Sequence, residues 1–458
     1  MTDRHAVIWT RGPEGPLKMG NLVATPTECR FSYTEDFLGR PGLPGLSLIA
    51  PPGLYDREAV VYPSSARMPL HPRLMALLPG DTPGNLQRRV LTALLARQPT
   101  PPRPGFETEW ALLLLAGHGG IGHLDVFADD LQARDWYERQ PAGGEAIGRR
   151  SAVWRFVREE VRQTAHSVDP DVISDLLGPT PSVGGMIPKL LAAIPDTADW
   201  DGRFAAPGTE RIGPQACVEV VLKVEPPQYE GVLALEGLCL DIHRELGFEV
   251  PRHWLAEVDG LRLLAVERFD RDTHGRPLPM ESFLSVMAAG NHRVFGTGDT
   301  ELSAVGRMLE RLATLVDLDR RVAQREVYRR FVLAFCTGNG DLHLENLAFL
   351  GGPEAVRVAP VYDPAPMRAW PRHNLRSAIP IAFEPGIGLG DNLVALGHAF
   401  GLSQREAAEI LVDILERTAD YGERLMALET VPAGRRENLA RLIAEERRLL
   451  GSSLRRPG

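Results

Sequence analysis

With 458 residues, 44% hydrophobic and 24% charged, the chain is too long for one core and suits two or three globular domains. A formal charge of −9 argues against a surface built to attract nucleic acid directly, and no apolar run approaches the roughly 18 residues of a membrane span. The four cysteines (Cys29, Cys217, Cys239, Cys336) form no CxxC pair, and the opening MTDRHAVIWTRGPEG lacks the apolar stretch of a signal peptide, so a cytoplasmic protein is expected.

Residues 5–35 alternate loosely between turns and predict a small antiparallel sheet. The stretch 41–70 is rich in Pro and Gly and is expected to be loop. LQRRVLTALLARQ (86–98) has helical spacing and stops before PTPPRPG; FETEWALLLLAG (106–117) is a second helix. GHGGIGH (117–123) carries His118 and His123 without further ligands nearby and is expected to be a structural turn. These elements make 1–132 one α+β domain, and the polar, helical 133–178 is a connector or insertion. The segment 179–295 then runs glycine turn, strand (ACVEVVLKVEP), helix (GVLALEGLCLDIHRELG, stopped by Gly247) and strand (LRLLAVERFDRD), the order of a nucleotide-holding lobe. The remainder, 296–458, is a largely helical lobe, with helices expected at 301–316, 325–338, 405–428 and 437–450 and a strand at 354–363.

Asp341 and Asn346 in GNGDLHLEN, with Asp363 in VYDP, have the Asp-x4-Asn…Asp order of phosphoryl transfer. In that chemistry Asp341 takes the hydroxyl proton and Asn346 and Asp363 hold Mg²⁺ against the phosphates of ATP. His343, where protein kinases carry a lysine, orients the aspartate or touches the γ-phosphate. Lysine occurs only at Lys18, Lys189 and Lys223, so a lysine on a β-branched strand draws notice. Singly, Lys223 is an edge-strand lysine and Glu236 a solvated helix face; in this order they predict a phosphate clamp and its anchoring carboxylate. SVGGMIPK (182–189) offers the backbone N–H groups of Gly184 and Gly185, with Lys189, as a phosphate cradle, though it is neither a Walker motif nor GxGxxG.

Together these segments resemble the HipA family of bacterial serine/threonine kinases, the toxin half of toxin–antitoxin pairs, over nearly the whole chain. RFSYTEDFL, GLSLI and LLPGDTPGNLQRRVL resemble its N-terminal domain, SVGGMIPKL its phosphate loop, VLKVE its ATP lysine and AVERFDRD its adenine-binding hinge. The resemblance implies a protein-kinase-like bilobal α+β fold with a small N-terminal α+β domain and a largely helical C-terminal lobe. It implies ATP and Mg²⁺ as cofactors and places Glu267 and Phe269 at the hinge. Ser182 becomes an autophosphorylation site whose added charge would eject the loop. It implies growth arrest by phosphorylating a translation component such as an aminoacyl-tRNA synthetase. It also implies a helix-turn-helix antitoxin through which any nucleic-acid contact is made. One departure is Glu345, where the family usually has lysine before the asparagine. A small-molecule kinase and a pseudokinase acting by binding remain the alternatives.

Overall fold

The computed structural model describes residues 3–12, 14–81, 85–138 and 187–453. Ser182, Gly184, Gly185 and all of the 133–178 connector beyond residue 138 lie outside the described residues.

The N-terminal part is built on β1 (Arg4–Gly12), β2 (Gly15–Ala24), β3 (Glu28–Tyr33), β4 (Val60–Pro63) and β5 (Asp125–Phe127), in the order β4-β3-β2-β1-β5. In β3, Cys29, Phe31 and Tyr33 point inward and Arg30 and Ser32 outward, the two-residue period of a half-buried strand. The short helices α1 (Glu35–Leu38) and α2 (Pro72–Met75) precede α3 (Leu86–Ala96), α4 (Phe106–Ala116) and α5 (Asp130–Glu138). Asn85 caps α3 by accepting from Arg88 N–H at 3.0 Å, and the proline-rich stretch after it prevents continuation. The α5 residues Ala133, Trp136 and Tyr137 pack on Val7, Trp9 and Phe127, so residues up to 138 belong physically to this sheet.

The next lobe is an antiparallel sheet, β6 (Lys189–Pro195), β8 (Gln215–Val224), β10 (Leu261–Glu267) and β9 (His253–Val258) in that order, with the two-residue β7 (Arg211–Ile212) on β8. Leu190, Ala192, Ile194, Leu222, Val224, Leu263 and Ala265 bury one face. The other face carries Lys189, Lys223 and Val221 and is crossed by α6 (Val232–Glu245). The Asp259–Gly260 turn joining β9 to β10 has φ of 52° and 73°, the two left-handed residues of a tight hairpin that an Asp-Gly pair supplies.

Beyond the hinge come β11 (Met280–Ser282), α7 (Phe283–Gly290), α8 (Leu302–Leu312), α9 (Arg320–Thr337), β12 (Ala348–Leu350) and β13 (Arg357–Val358), with β11, β12 and β13 forming one small sheet. The chain closes with α10 (Leu389–Leu396), α11 (Gln404–Arg417), α12 (Tyr421–Met426) and α13 (Ala433–Ser453). Several stretches differ from expectation. Within 41–70, expected to be loop, Val60–Pro63 pairs with β3 as β4. The strand expected over 354–363 is only β13, because Pro360 lacks a ladder donor, and the chain reaches Asp363 as extended coil. The helix expected over 405–428 breaks after Arg417. There the Thr418 hydroxyl donates back to Ile414 O at 2.6 Å, and buried Tyr421 turns inward to donate to Thr337 O at 3.0 Å.

One apolar cluster runs from the N-terminal sheet through α6 into α9, α11 and α13, so the N-terminal domain shares the core of the catalytic lobe. Buried Glu281 fastens this junction, accepting from Ser47 Oγ and Leu48 N–H at 2.8 Å each and from Ser285 Oγ at 2.7 Å.

Candidate active site

Strand pairing sets Lys189 of β6 directly opposite Lys223 of β8. Two ammoniums side by side on one sheet face repel each other, and both are about 95% buried, so carboxylates must neutralise them. Two do: Lys223 Nζ donates to Glu236 Oε1 on α6 and to Asp363 Oδ1, while Lys189 Nζ donates to Asp363 Oδ2. Asp363 sits at φ 53°, a left-handed conformation that aspartate tolerates. Burial alone would push the Asp363 carboxyl up, but the two lysines outweigh it and hold it well below the ordinary aspartate value. Burial likewise opposes the Lys223 charge, and Asp363 and Glu236 overcome it, for a net upward shift. Glu236 is raised by burial despite Lys223, with Asp363 adding repulsion; Asp363 is therefore the firmly ionised partner.

The catalytic-loop residues follow α9, which Gly338 ends at φ 78°. Asn339 Oδ1 accepts from Asp341 N–H at 3.2 Å. His343 N–H donates to Asp341 O at 2.8 Å, and Asn346 Nδ2 donates to the same carbonyl at 3.1 Å. His343 Nδ1 accepts from Glu345 N–H at 3.2 Å, which assigns the proton to Nε2. Tyr362 OH donates to Glu345 O at 2.7 Å, tying this loop to the residue before Asp363. The Asp341 carboxyl is raised by burial, with Asp363 adding to the shift and His343, His373 and Lys189 opposing it, the direction that suits a base.

Lys223, Glu267, Phe269, Asp341, His343, Asn346 and Asp363 line one cleft of about 1310 Å³. Glu236 lies just behind it on Lys223. At the end of β10 and just beyond it, where the hinge was expected, Glu267 receives Arg252 in a two-point ion pair at 2.8 and 2.9 Å, and Phe269 packs its ring against Tyr362 with centroids 5.7 Å apart. The Gly120 carbonyl, in the GHGGIGH turn, accepts from Arg268 and Arg271 at 2.7 and 2.9 Å, and Gly122 N–H donates to Asp270 at 2.9 Å. This turn thus grips the hinge, and neither of its histidines converges with metal ligands among the described residues.

Sequence reasoning did not single out the cleft's outer wall, where α2, α3 and α4 contribute Met75, Ala93 and the paired Arg88 and Glu109. No local pattern marks residues that only tertiary packing carries to the site. Tyr362, beside Asp363 in VYD, was within reach of a motif reading.

A two-lobed kinase-like fold, with a lysine, its glutamate and an Asp-x4-Asn…Asp set around one cleft, defines the class. Residues 181–421, more than half of the chain, match the family described as HipA-like C-terminal domain, and the chain belongs to that family. It is 24% identical over 234 residues to a Haemophilus influenzae protein named "Putative kinase", a match covering 46% of this chain and 68% of that one. It is 27% identical over 156 residues to "Putative kinase Y4dM" of Sinorhizobium fredii, covering 31% of this chain and 36% of that one. Its fold is similar to a chain of the Shewanella oneidensis MR-1 HipA–HipB–operator DNA complex, with a TM-score of 0.64 and 18% identity over 97% of both chains.

Proposed function

We propose that the protein is an ATP- and Mg²⁺-dependent serine/threonine protein kinase of HipA type. The observation that carries this reading is the Lys223 ammonium held between Glu236 and Asp363, with Asp341 on the same cleft. In this reading Lys223 and Lys189 bind the nucleotide's phosphates, and Glu236 keeps Lys223 extended toward them. Val221 and Val266 offer the adenine an apolar surface beside the hinge residues Glu267 and Phe269. Asp341 accepts the proton of the acceptor hydroxyl, and His343, folded onto Glu345 N–H, keeps an Nε2 donor in the cleft.

The donor set fits magnesium. Asn346 donates through Nδ2, so its Oδ1 remains for a cation, and the Asp363 carboxylate supplies hard oxygens. When bound, the ion neutralises charge on the transferring phosphoryl group.

The family and the two relatives named as kinases support phosphoryl transfer. In this reading, which rests on the resemblance to HipA toxins, the acceptor is a protein, and growth arrest follows from phosphorylating a translation component such as an aminoacyl-tRNA synthetase. The structural match to a HipA bound with HipB supports a small DNA-binding antitoxin as partner. Glu345, exposed on the cleft wall, favours a second reading in which the protein binds nucleotide without efficient transfer. Labelled ATP in a cell lysate, with phosphosite mapping, separates the readings. Wild type should label protein serines or threonines, and Asp341→Asn should lower transfer by about 10²–10⁴-fold while keeping nucleotide affinity. Toxicity that survives Asp341→Asn would favour the binding-only reading.

A further inference from the structure

The segment that follows Asp363 runs as a strap beneath the catalytic loop. Arg368 N–H donates to Gly338 O at 3.3 Å. A Cβ at Gly340, immediately before Asp341, would stand 1.9 Å from Leu375 O, so the strap's backbone lies directly against the turn that presents Asp341. The strap's far side is pinned to α13, where buried Glu446 accepts from Arg368 at 3.0 Å and Arg376 at 2.9 Å. The strap is also held from the turn between β8 and α6. Tyr229 OH and His373 Nε2 are 2.7 Å apart, and the Tyr229 ring meets Trp370 edge-on with centroids 5.5 Å apart and carries the Arg372 guanidinium at 4.5 Å.

Tyr229 ends the short turn Pro227–Tyr229, which joins β8, the strand of Lys223, to α6, the helix of Glu236. The anchor of His373 thus sits on the connection between the strand of Lys223 and the helix of Glu236. We propose that His373, gripped by Tyr229, is a positioning residue for Asp341, and that the pair couples placement of the base to the seating of the nucleotide lobe. The strap that carries His373 reaches the turn of Asp341 through the Leu375 carbonyl against Gly340 and the Arg368 N–H on Gly338 O, and the charges of Asp341 and His373 act on each other.

The proposal rests on the kinase reading, and its test uses the full chain. Tyr229→Phe deletes one hydroxyl and keeps the ring packing; His373→Ala deletes the imidazole; His373→Gln keeps a side-chain amide near the Nε2 position. Small displacements of a catalytic group cost up to about 10²-fold. Tyr229→Phe and His373→Ala should each lower kcat about tenfold or more, with KM for ATP within about twofold, and His373→Gln should restore much of the loss. Unchanged kcat in both deletions, or a loss confined to KM, would overturn the proposal. Asp341→Asn is the separate control on the kinase reading. If wild type transfers no phosphate, that reading fails by itself, and amide exchange over residues 338–346 decides the coupling. Faster exchange in Tyr229→Phe supports it, and identical exchange refutes it.

Discussion

At the scale of single residues, the site is an electrostatic compromise that constrains which substitutions the protein tolerates. Lys223 and Glu236 are 3% and 1% exposed, so removing Lys223 leaves the Glu236 carboxyl in the interior without the ammonium bonded to it, whereas Lys223 itself has Asp363 as a second partner. Lys223→Met should abolish phosphoryl transfer and cost about 3 kcal/mol in urea unfolding. Lys223→Met combined with Glu236→Leu should unfold at higher urea than the single variant while staying inactive, because the uncompensated carboxyl is gone. Much of this was legible in the sequence, since a lysine on a β-branched run and a glutamate on the next helix are patterns of order. The role of Lys189 was only half legible. It was expected in a loop beside the glycines, and it stands on a strand, facing Lys223 and bonded to Asp363. Cross-strand register decides that, and register is not written in any local spacing.

At the scale of elements, the catalytic loop keeps its shape because its neighbours leave it no other. Gly340 is required by a close approach, since a methyl group there meets the Leu375 carbonyl. Gly340→Ala should therefore destabilise the fold by about 1–3 kcal/mol and lower kcat more than it raises KM for ATP. Thermal unfolding beside steady-state kinetics checks both halves. The helices were readable from periodicity and from stops such as Gly247, while the Asp259–Gly260 hairpin was not singled out although an Asp-Gly pair is a turn signal. The Asp319 cap, which accepts from Val322 N–H at 3.0 Å and starts α9 at Arg320, was a signal available in the sequence. The break after Arg417 was harder to foresee, because it depends on where Tyr421 must reach.

At the scale of the whole molecule, the N-terminal domain and the two lobes behave as one body. They share an apolar cluster, and the hinge is locked by Asp270 between Arg268, Arg271 and the Gly122 amide. A single calorimetric transition is expected, and two separated transitions would contradict a shared core. Burial alone would raise the Asp270 carboxyl, but Arg268 and Arg271 bring it down from 3.8 to about 2. A depressed pKa gives stability that is present above the unfolded value and is lost as pH falls through the folded one, here between about pH 4 and pH 2. That acid limb should be worth about 2 kcal/mol and be missing in Asp270→Asn, as denaturant unfolding across that range would show. The grip of the GHGGIG turn on the residues after β10 was not visible in the sequence. It joins Gly120 to Arg268 across the fold, and glycine turns look alike until their carbonyls are assigned.

Two of the chain's three lysines, Lys189 and Lys223, meet at Asp363, while Lys18 on the N-terminal sheet is bonded to Asp130. An amine-directed covalent reagent carried in by a nucleotide scaffold therefore meets Lys189 and Lys223, with Lys18 as the one other lysine of the sequence to separate by its peptide. Occupancy of the pocket becomes readable by mass spectrometry from two adducts, with arginine elsewhere chemically silent.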